Sequence, residues 1–219
     1  RTDWVNTLLY EVNFLQDHNL TTLIGHEVIK TETDGWGAAQ SNVTDPSYTN
    51  YQGRYTNISA YGNVFSENGL LSYFANINYD FKKRYLVSFN FRRDGLSALA
   101  QGNKYGNFGS VALGWNMHEE AFYQNSFLSD LVGTLKLRGS YGEVGNSEIG
   151  DYPAIGAYSS NTYGDVPTLS FSQAANPNLQ WETSKKTDIG VDFTLFSDRI
   201  AVEFDYYKNE VDGLILKAP

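Results

Sequence analysis

The side chains with a capacity for chemistry are three histidines and a set of carboxylates. His18, His26 and His118 lack the close spacing of a zinc site. A sequence without cysteine has neither a thiolate metal site nor a cysteine nucleophile. The sequence also contains no P-loop, dinucleotide fingerprint or Gly-x-Ser-x-Gly motif. It therefore predicts neither a metal site nor a cofactor.

Two carboxylate pairs have the residue types of a glycosidase, whose two carboxyl groups stand about 5–9.5 Å apart. At about 3.4 Å per residue of strand, Asp188 and Asp192 would be about 13 Å apart and Glu203 and Asp205 about 7 Å. The second pair keeps a β-rich glycosidase open as an alternative, in which Glu203→Gln would abolish hydrolysis. The simpler interpretation of both pairs is a hydrated or salt-bridged wall.

The elements that carry these residues alternate with period two, as β-strands do. Most of the predicted strands are longer than the ~5–6 residues common in globular proteins, and they match the ~9–11 residues that cross a bilayer at a tilt. The sequence predicts eight strands, at about 4–15, 19–30, 70–82, 85–93, 106–117, 133–143, 183–196 and 200–210.

One parity of these strands is apolar and the other is charged, which predicts a lipid-facing and a lumen-facing side. The lipid-facing candidates are Tyr85, Val87, Phe89, Phe91, Val191, Phe193 and Phe204. The lumen-facing candidates are Arg92, Lys136, Arg138, Asp192, Glu203 and Asp205. Tyr79, Phe81 and Tyr85 flank a predicted turn, where an interfacial aromatic girdle belongs.

The predicted connections alternate in length. Those at 16–18, 83–84 and 197–199 are tight, whereas those at 31–69 and 144–182 are long. Antiparallel strands place alternate connections at opposite ends, so the tight turns share one end, as in outer-membrane barrels. Aromatic residues in the two long loops are candidates for binding substrate or partner, or for packing on one another: Trp36, Tyr48, Tyr51, Tyr55, Tyr61, Tyr152, Tyr158 and Tyr163.

The last predicted hairpin also has a predicted register. A two-residue turn at Asp198-Arg199 would set Phe193 against Phe204, and it would set Asp192 against Asp205. Facing carboxylates repel each other unless a cation lies between them. We therefore expect an arginine or another cation at this position, in a water-filled interior.

Composition excludes several classes of protein. The chain has 219 residues, with 25 acidic and 16 basic side chains and a formal net charge of −9, which argues against nucleic-acid binding. Aromatics at 15% exclude disorder. The pattern favours an all-β fold, an antiparallel transmembrane β-barrel segment with long extracellular loops. A secreted β-sandwich module that binds carbohydrate is the alternative.

Several segments, in order along the chain, have the character of family motifs. They are 71–79 (LSYFANINY) with 83–86 (KRYL), 91–95 (FRRDG), 105–115 (YGNFGSVALGW), 135–146 (LKLRGSYGEVGN), 176–183 (NPNLQWET) and 205–208 (DYYK). Together they cover nearly the whole chain, and they resemble motifs of the SusC/RagA-like TonB-dependent outer-membrane transporters. The segment 91–95 resembles the family's RRDGSSRF, although Leu96-Ser97-Ala98-Leu99 follow here.

The resemblance implies that residues 1–219 form part of a 22-stranded barrel, and that the plug and the barrel's C-terminal strand lie outside them. It implies a bacterial outer-membrane location, contact with outer-membrane lipid and with the rest of the barrel, and no enzymatic activity. It also implies import of an oligomeric nutrient, glycan or peptide. A SusD-like surface lipoprotein is the implied partner, and TonB would act through the plug.

Overall fold

The computed structural model describes residues 1–43, 45, 47 and 55–216. Its main feature is one eight-stranded antiparallel sheet, in the order β1-β2-β3-β4-β5-β6-β9-β10. A separate hairpin pairs β7 with β8. The strands are β1 (Thr2–Phe14), β2 (His18–Val43), β3 (Tyr55–Phe81), β4 (Tyr85–Leu96), β5 (Tyr105–Asn116), β6 (Val132–Asn146), β7 (Ala157–Tyr163), β8 (Val166–Gln173), β9 (Glu182–Leu195) and β10 (Ile200–Asp212).

In the described ranges, helical structure is confined to the connection between β5 and β6. It comprises a 3-10 turn (Met117–Glu119), α1 (Ala121–Gln124) and α2 (Leu128–Leu131). Among the described residues, no helix is both long and apolar enough to cross a lipid bilayer. The all-β antiparallel prediction is confirmed, and within the described residues the sheet remains open between β1 and β10.

All eight predicted strands are present in the main sheet, but the predicted loop 31–69 is wrong over most of its length. β2 and β3 continue beyond residue 30 as a long hairpin and pair as far as Val43 and Tyr55. A bulge interrupts this hairpin, where Trp36 lies between the paired residues Gly35 and Gly37. Gly62 opposite it has φ +94°, which glycine adopts without steric cost.

The predicted register of the last hairpin is also wrong, by two residues. Phe193 faces Val202 and Asp192 faces Glu203, because the connection from Phe196 to Arg199 is longer than the expected two-residue turn. Phe196, Ser197 and Asp198 all have φ near +60°. A shift by an even number leaves every side chain on its predicted face.

A small hydrophobic core lies at the end of the sheet opposite the tight turns. The connection between β4 and β5 folds back there against the segment before β9, and Ala100 N–H donates to Leu179 C=O at 3.3 Å. The indole of Trp181 packs edge-on against Phe108 at 5.2 Å and donates to Lys104 C=O at 3.0 Å. The buried members are Leu96, Ala98, Leu99, Ala100, Phe108, Leu179 and Trp181.

We expect Trp181→Phe to weaken this end of the sheet by about 1 kcal/mol, because it keeps an aromatic ring and removes one hydrogen bond. Trp181→Ala also leaves a cavity and should cost about 3–5 kcal/mol. Urea unfolding of the full-length protein in micelles measures both. Equal losses in the two variants would contradict the packing described here.

Candidate functional site

The register divides the sheet into two faces of different chemistry. Direct partners in antiparallel strands share a face, so the paired positions can be followed from β4 to β10. All six lumen-facing candidates share one face, here called the charged face: Arg92, Lys136, Arg138, Asp192, Glu203 and Asp205. All seven lipid-facing candidates share the opposite one, here called the apolar face: Tyr85, Val87, Phe89, Phe91, Val191, Phe193 and Phe204.

Arg138 is the centre of the largest ion cluster on the charged face. Its guanidinium contacts Asp188 at 3.1 Å and Asp192 at 3.0 Å, and it also binds Asp205 on β10. The sequence predicted a cation between Asp192 and Asp205, and Arg138 contacts both, although the two aspartates do not face each other as predicted. Because one arginine meets three aspartates, the cluster remains acidic.

A glycine makes this cluster sterically feasible. Arg138, Gly190 and Asp205 occupy one row across β6, β9 and β10. A Cβ at Gly190 would lie 2.6 Å from Arg138 Cζ and would also overlap the Asp205 carboxylate. A side chain at Gly190 would therefore require the guanidinium or the Asp205 carboxylate to move from its present position.

A second arginine, Arg92, joins three strands on the same face. Its Nη2 donates to Glu27 at 2.7 Å and to the fully buried Ser72 hydroxyl at 2.7 Å, and its Nε donates to Asp94 at 2.6 Å. Sequence reasoning missed these three acceptors. The sequence shows on which face of its strand each acceptor lies. Their proximity to Arg92, however, depends on the register between β2, β3 and β4.

Neutral amides and hydroxyls continue the charged face next to Arg92. Asn78 donates to Asn76 at 2.6 Å, Asn76 to Asn90 at 2.5 Å, and Asn90 to Ser110 at 3.1 Å. A cavity of about 480 Å³ opens beside this chain of hydrogen bonds, and its lining includes Asn76, Asn90, Arg92, Phe108, Ser110 and Trp181. Such a surface can form hydrogen bonds with sugars or peptides.

Three of the four candidate carboxylates, those of Asp188, Asp192 and Asp205, bind Arg138. Arg138 binds Asp205, while Glu203 lies opposite Asp192 on β9. Among the described residues, no cluster of three His, Asp or Glu side chains has the arrangement of a metal site.

The described loop aromatics belong to β2, β3, β7 and the connection after β6. Trp36 is 83% exposed at the bulge of β2, and the ring of Tyr61 on β3 lies across Gly37. Tyr55 begins β3. These three are therefore strand residues, not loop residues as predicted.

The other loop aromatics belong to the long connection between β6 and β9. The Tyr152 hydroxyl accepts from Glu67 N–H at 3.0 Å and so holds this connection to β3. Nearby, hydrogen bonds from Ser66 and Asn68 lower the pKa of the Asp151 carboxyl. Tyr158 packs edge-on against Phe171 at 5.8 Å, and Tyr163 is 84% exposed; both belong to β7, a strand that was predicted as loop. Tyr48 and Tyr51 lie outside the described residues.

Aromatic rings form a continuous row on the apolar face near the tight turns. Successive centroids are 4.7–6.4 Å apart, from β1 to the connection after β5. The row consists of Phe14, His18, Phe81, Tyr85, Trp115 and Phe122. This agrees with the aromatic cluster predicted around Tyr79, Phe81 and Tyr85.

Glu120, in the connection between β5 and β6, forms hydrogen bonds with two members of this row. Its carboxylate, 13% exposed, accepts from Tyr85 Oη at 2.5 Å, Trp115 Nε1 at 3.2 Å and Arg84 Nη1 at 3.3 Å. The hydrogen bond from Tyr85 is the main cause that lowers the pKa of Glu120. Burial raises the pKa of Tyr123 in the same connection.

Comparison with known proteins identifies the architecture. Residues 1–219 match the family described as TonB dependent receptor-like, beta-barrel. The chain belongs to the TonB-dependent receptor β-barrel family. This finding replaces the β-sandwich alternative.

The relatives include a TonB-dependent receptor of Formosa agariphila, 36% identical over 98% of this chain and 22% of its own length. The TonB-dependent receptor SusC of Bacteroides thetaiotaomicron is 36% identical over 68% of this chain and 16% of its own length. The solved structure of the RagAB peptide transporter matches with a TM-score of 0.83 and 30% identity, over 99% of this chain and 24% of that one. The chain thus spans about a quarter or less of these relatives, which are described as receptors or as a transporter.

We expect Gly190→Ala to displace Arg138 and to destabilise the barrel by about 1.5–3 kcal/mol, the cost of lost hydrogen bonds to charged groups. Gly139→Ala is the matched control, because its Cβ would meet only Asp188 O, at 3.8 Å. Urea unfolding of the full-length protein in micelles compares them. If both variants unfold alike, Gly190 does not have the role assigned to it.

We further expect the connection 117–131 to loosen in acid. A glutamate with a lowered folded pKa stabilises the fold above its unfolded pKa of about 4.3, and this stability is lost as pH falls through the folded pKa. Glu120→Gln should loosen the connection already at pH 7 and remove this pH dependence. Hydrogen exchange of residues 117–131 between about pH 3 and 7 measures both effects, and an unchanged profile in the variant would refute the role of Glu120.

Proposed function

We propose that this chain is a wall segment of an outer-membrane TonB-dependent importer. Its charged face lines the water-filled lumen and its apolar face contacts lipid. The observation that carries this proposal is the separation of the two residue sets by one continuous register. Side chains such as Phe204, 65% exposed, have no protein layer over them among the described residues.

The turn lengths and the aromatic row support one orientation. Outer-membrane barrels have short periplasmic turns and interfacial aromatic girdles. The tight connections after β1, β3 and β9 share one end of the sheet with the aromatic row. This end is therefore the periplasmic one, and the long β2–β3 hairpin and the β7–β8 hairpin extend outside the cell.

The cargo that suits this wall is an oligomeric nutrient, a glycan or a peptide. Amides, hydroxyls and two ion clusters on the charged face supply donors and acceptors for either class. The similar solved structure described as a peptide transporter supports the peptide. The energy would come through TonB acting on a plug that the remainder of the protein supplies.

The partner is a SusD-like surface lipoprotein seated over the extracellular hairpins. Exposed aromatic side chains are well suited to such a contact or to stacking on cargo. The residues proposed for this role are Trp36, Tyr48, Tyr51, Tyr55, Tyr61, Tyr152, Tyr158 and Tyr163. A carbohydrate-binding or hydrolytic module has no comparable support, because Arg138 binds both Asp205, the predicted partner of Glu203, and Asp192, which faces Glu203.

Nitroxide labels on two neighbouring residues of β4 test the orientation of the faces. In the full-length protein in lipid vesicles, a label at Phe89 should collide with dissolved oxygen and be shielded from a water-soluble nickel chelate. A label at Asn90, on the charged face, should show the lower ratio of oxygen to nickel accessibility. Equal or reversed ratios would disprove the proposed wall.

A further inference from the structure

An apolar groove crosses the apolar face of β1 to β4. Leu8, Ile24, Ala75 and Phe91 are direct register partners in one row across these strands. Ala75 is the small member of the row, and the space above it is bordered by larger side chains. The groove has a volume of about 550 Å³, within the range of ligand pockets, and most of its lining surface is apolar, although Asn6 and Thr7 also border it.

The next row toward the extracellular end bears polar groups. His26, Tyr73 and Arg93 are consecutive register partners there, with Asn107 opposite Arg93 on β5. His26 and Tyr73, whose ring centroids are 5.1 Å apart, also border the groove. The groove therefore has an apolar floor and a polar end.

Arg93 differs from the other cations on the strands of this face. Lys30, Lys185 and Lys208 each contact a carboxylate. Within the part of the chain that the structure describes, Arg93 has no ion pair, and its guanidinium stands 5.2 Å from the Tyr105 ring centroid. A cation–π contact holds the group in place and leaves its donors available.

We propose that the groove and Arg93 together bind one phosphorylated lipid of the outer leaflet. An acyl chain occupies the groove over Ala75, and the lipid phosphate accepts from the Arg93 guanidinium, whose planar fork suits phosphate oxygens. Asn107 and His26 add donors in the same row. The inference rests on the proposed function, because it requires the apolar face to contact lipid.

The test measures lipid binding to the purified full-length protein by native mass spectrometry. The probes are diphosphoryl lipid A and the same lipid after removal of its phosphates. The wild-type protein should prefer the phosphorylated form about fivefold, the effect of one basic group near an anionic lipid surface. Arg93→Gln should abolish this preference, whereas the control Lys208→Gln should keep it.

Ala75→Leu tests the groove separately, since it fills the groove and leaves Arg93 in place. It should weaken binding of both forms of the lipid while the preference for phosphate persists. Inorganic phosphate at millimolar concentration should leave lipid binding unchanged. Phosphate competition that removes the preference would identify a site for free anions instead and overturn the proposal.

An unchanged preference in Arg93→Gln, or unchanged binding in Ala75→Leu, would also overturn it. This failure is distinguishable from failure of the proposed function, because the Phe89 label reports lipid contact without any dependence on Arg93. If the label at Phe89 is exposed to lipid but Arg93→Gln leaves the preference for phosphorylated lipid unchanged, only the lipid site is refuted. A water-exposed Phe89 refutes both.

Discussion

One antiparallel hydrogen-bond ladder across eight strands determines where nearly every side chain of the main sheet lies. Among the described residues, and away from the small core and the connection 117–131, the sheet is a single layer, so no second layer of protein corrects an error of register. A slip of one residue between two strands would move apolar side chains to the charged face and charged side chains to the apolar face. Backbone pairing therefore carries both the fold and the chemical distinction between the two sides.

The cross-strand clusters show how the side chains reinforce that register. Arg92 joins β2, β3 and β4, and Arg138 joins β6, β9 and β10. Each arginine fits only one alignment of its three strands, because its planar donors need acceptors at fixed positions. At Gly190 the missing side chain is as important as the charges, since any Cβ would occupy the space of the guanidinium.

Sequence alone predicted the strands and their faces, because period-two alternation is a local property. It failed where the conformation contradicts local preference. Phe196, Ser197 and Asp198 all have a left-handed backbone conformation, which is costly for residues other than glycine. Their residue types therefore did not indicate this turn. The extension of the β2–β3 hairpin beyond residue 30 was missed because the sequence there no longer alternates between apolar and polar residues. Two partners of Arg92, Glu27 and Ser72, lie on other strands, and predicting their contacts would have required knowledge of the register between those strands.

Strand length alone does not locate the proposed membrane-spanning part of the sheet, because β2 with 26 residues and β3 with 27 are longer than a bilayer requires. Two rows of side chains on the apolar face mark its borders more closely. The aromatic row includes Tyr85 and the polar row includes Arg93, eight residues further along β4, which is about 27 Å along the strand. At a tilt of about 40° this corresponds to about 21 Å, close to the apolar band of about 25 Å in outer-membrane barrels. Between these rows, β1 to β5 place no charged residue on the apolar face. The two borders differ in chemistry, since aromatic rings held by Glu120 mark one and Arg93 marks the other. In the proposed wall, this difference would define a direction across the membrane.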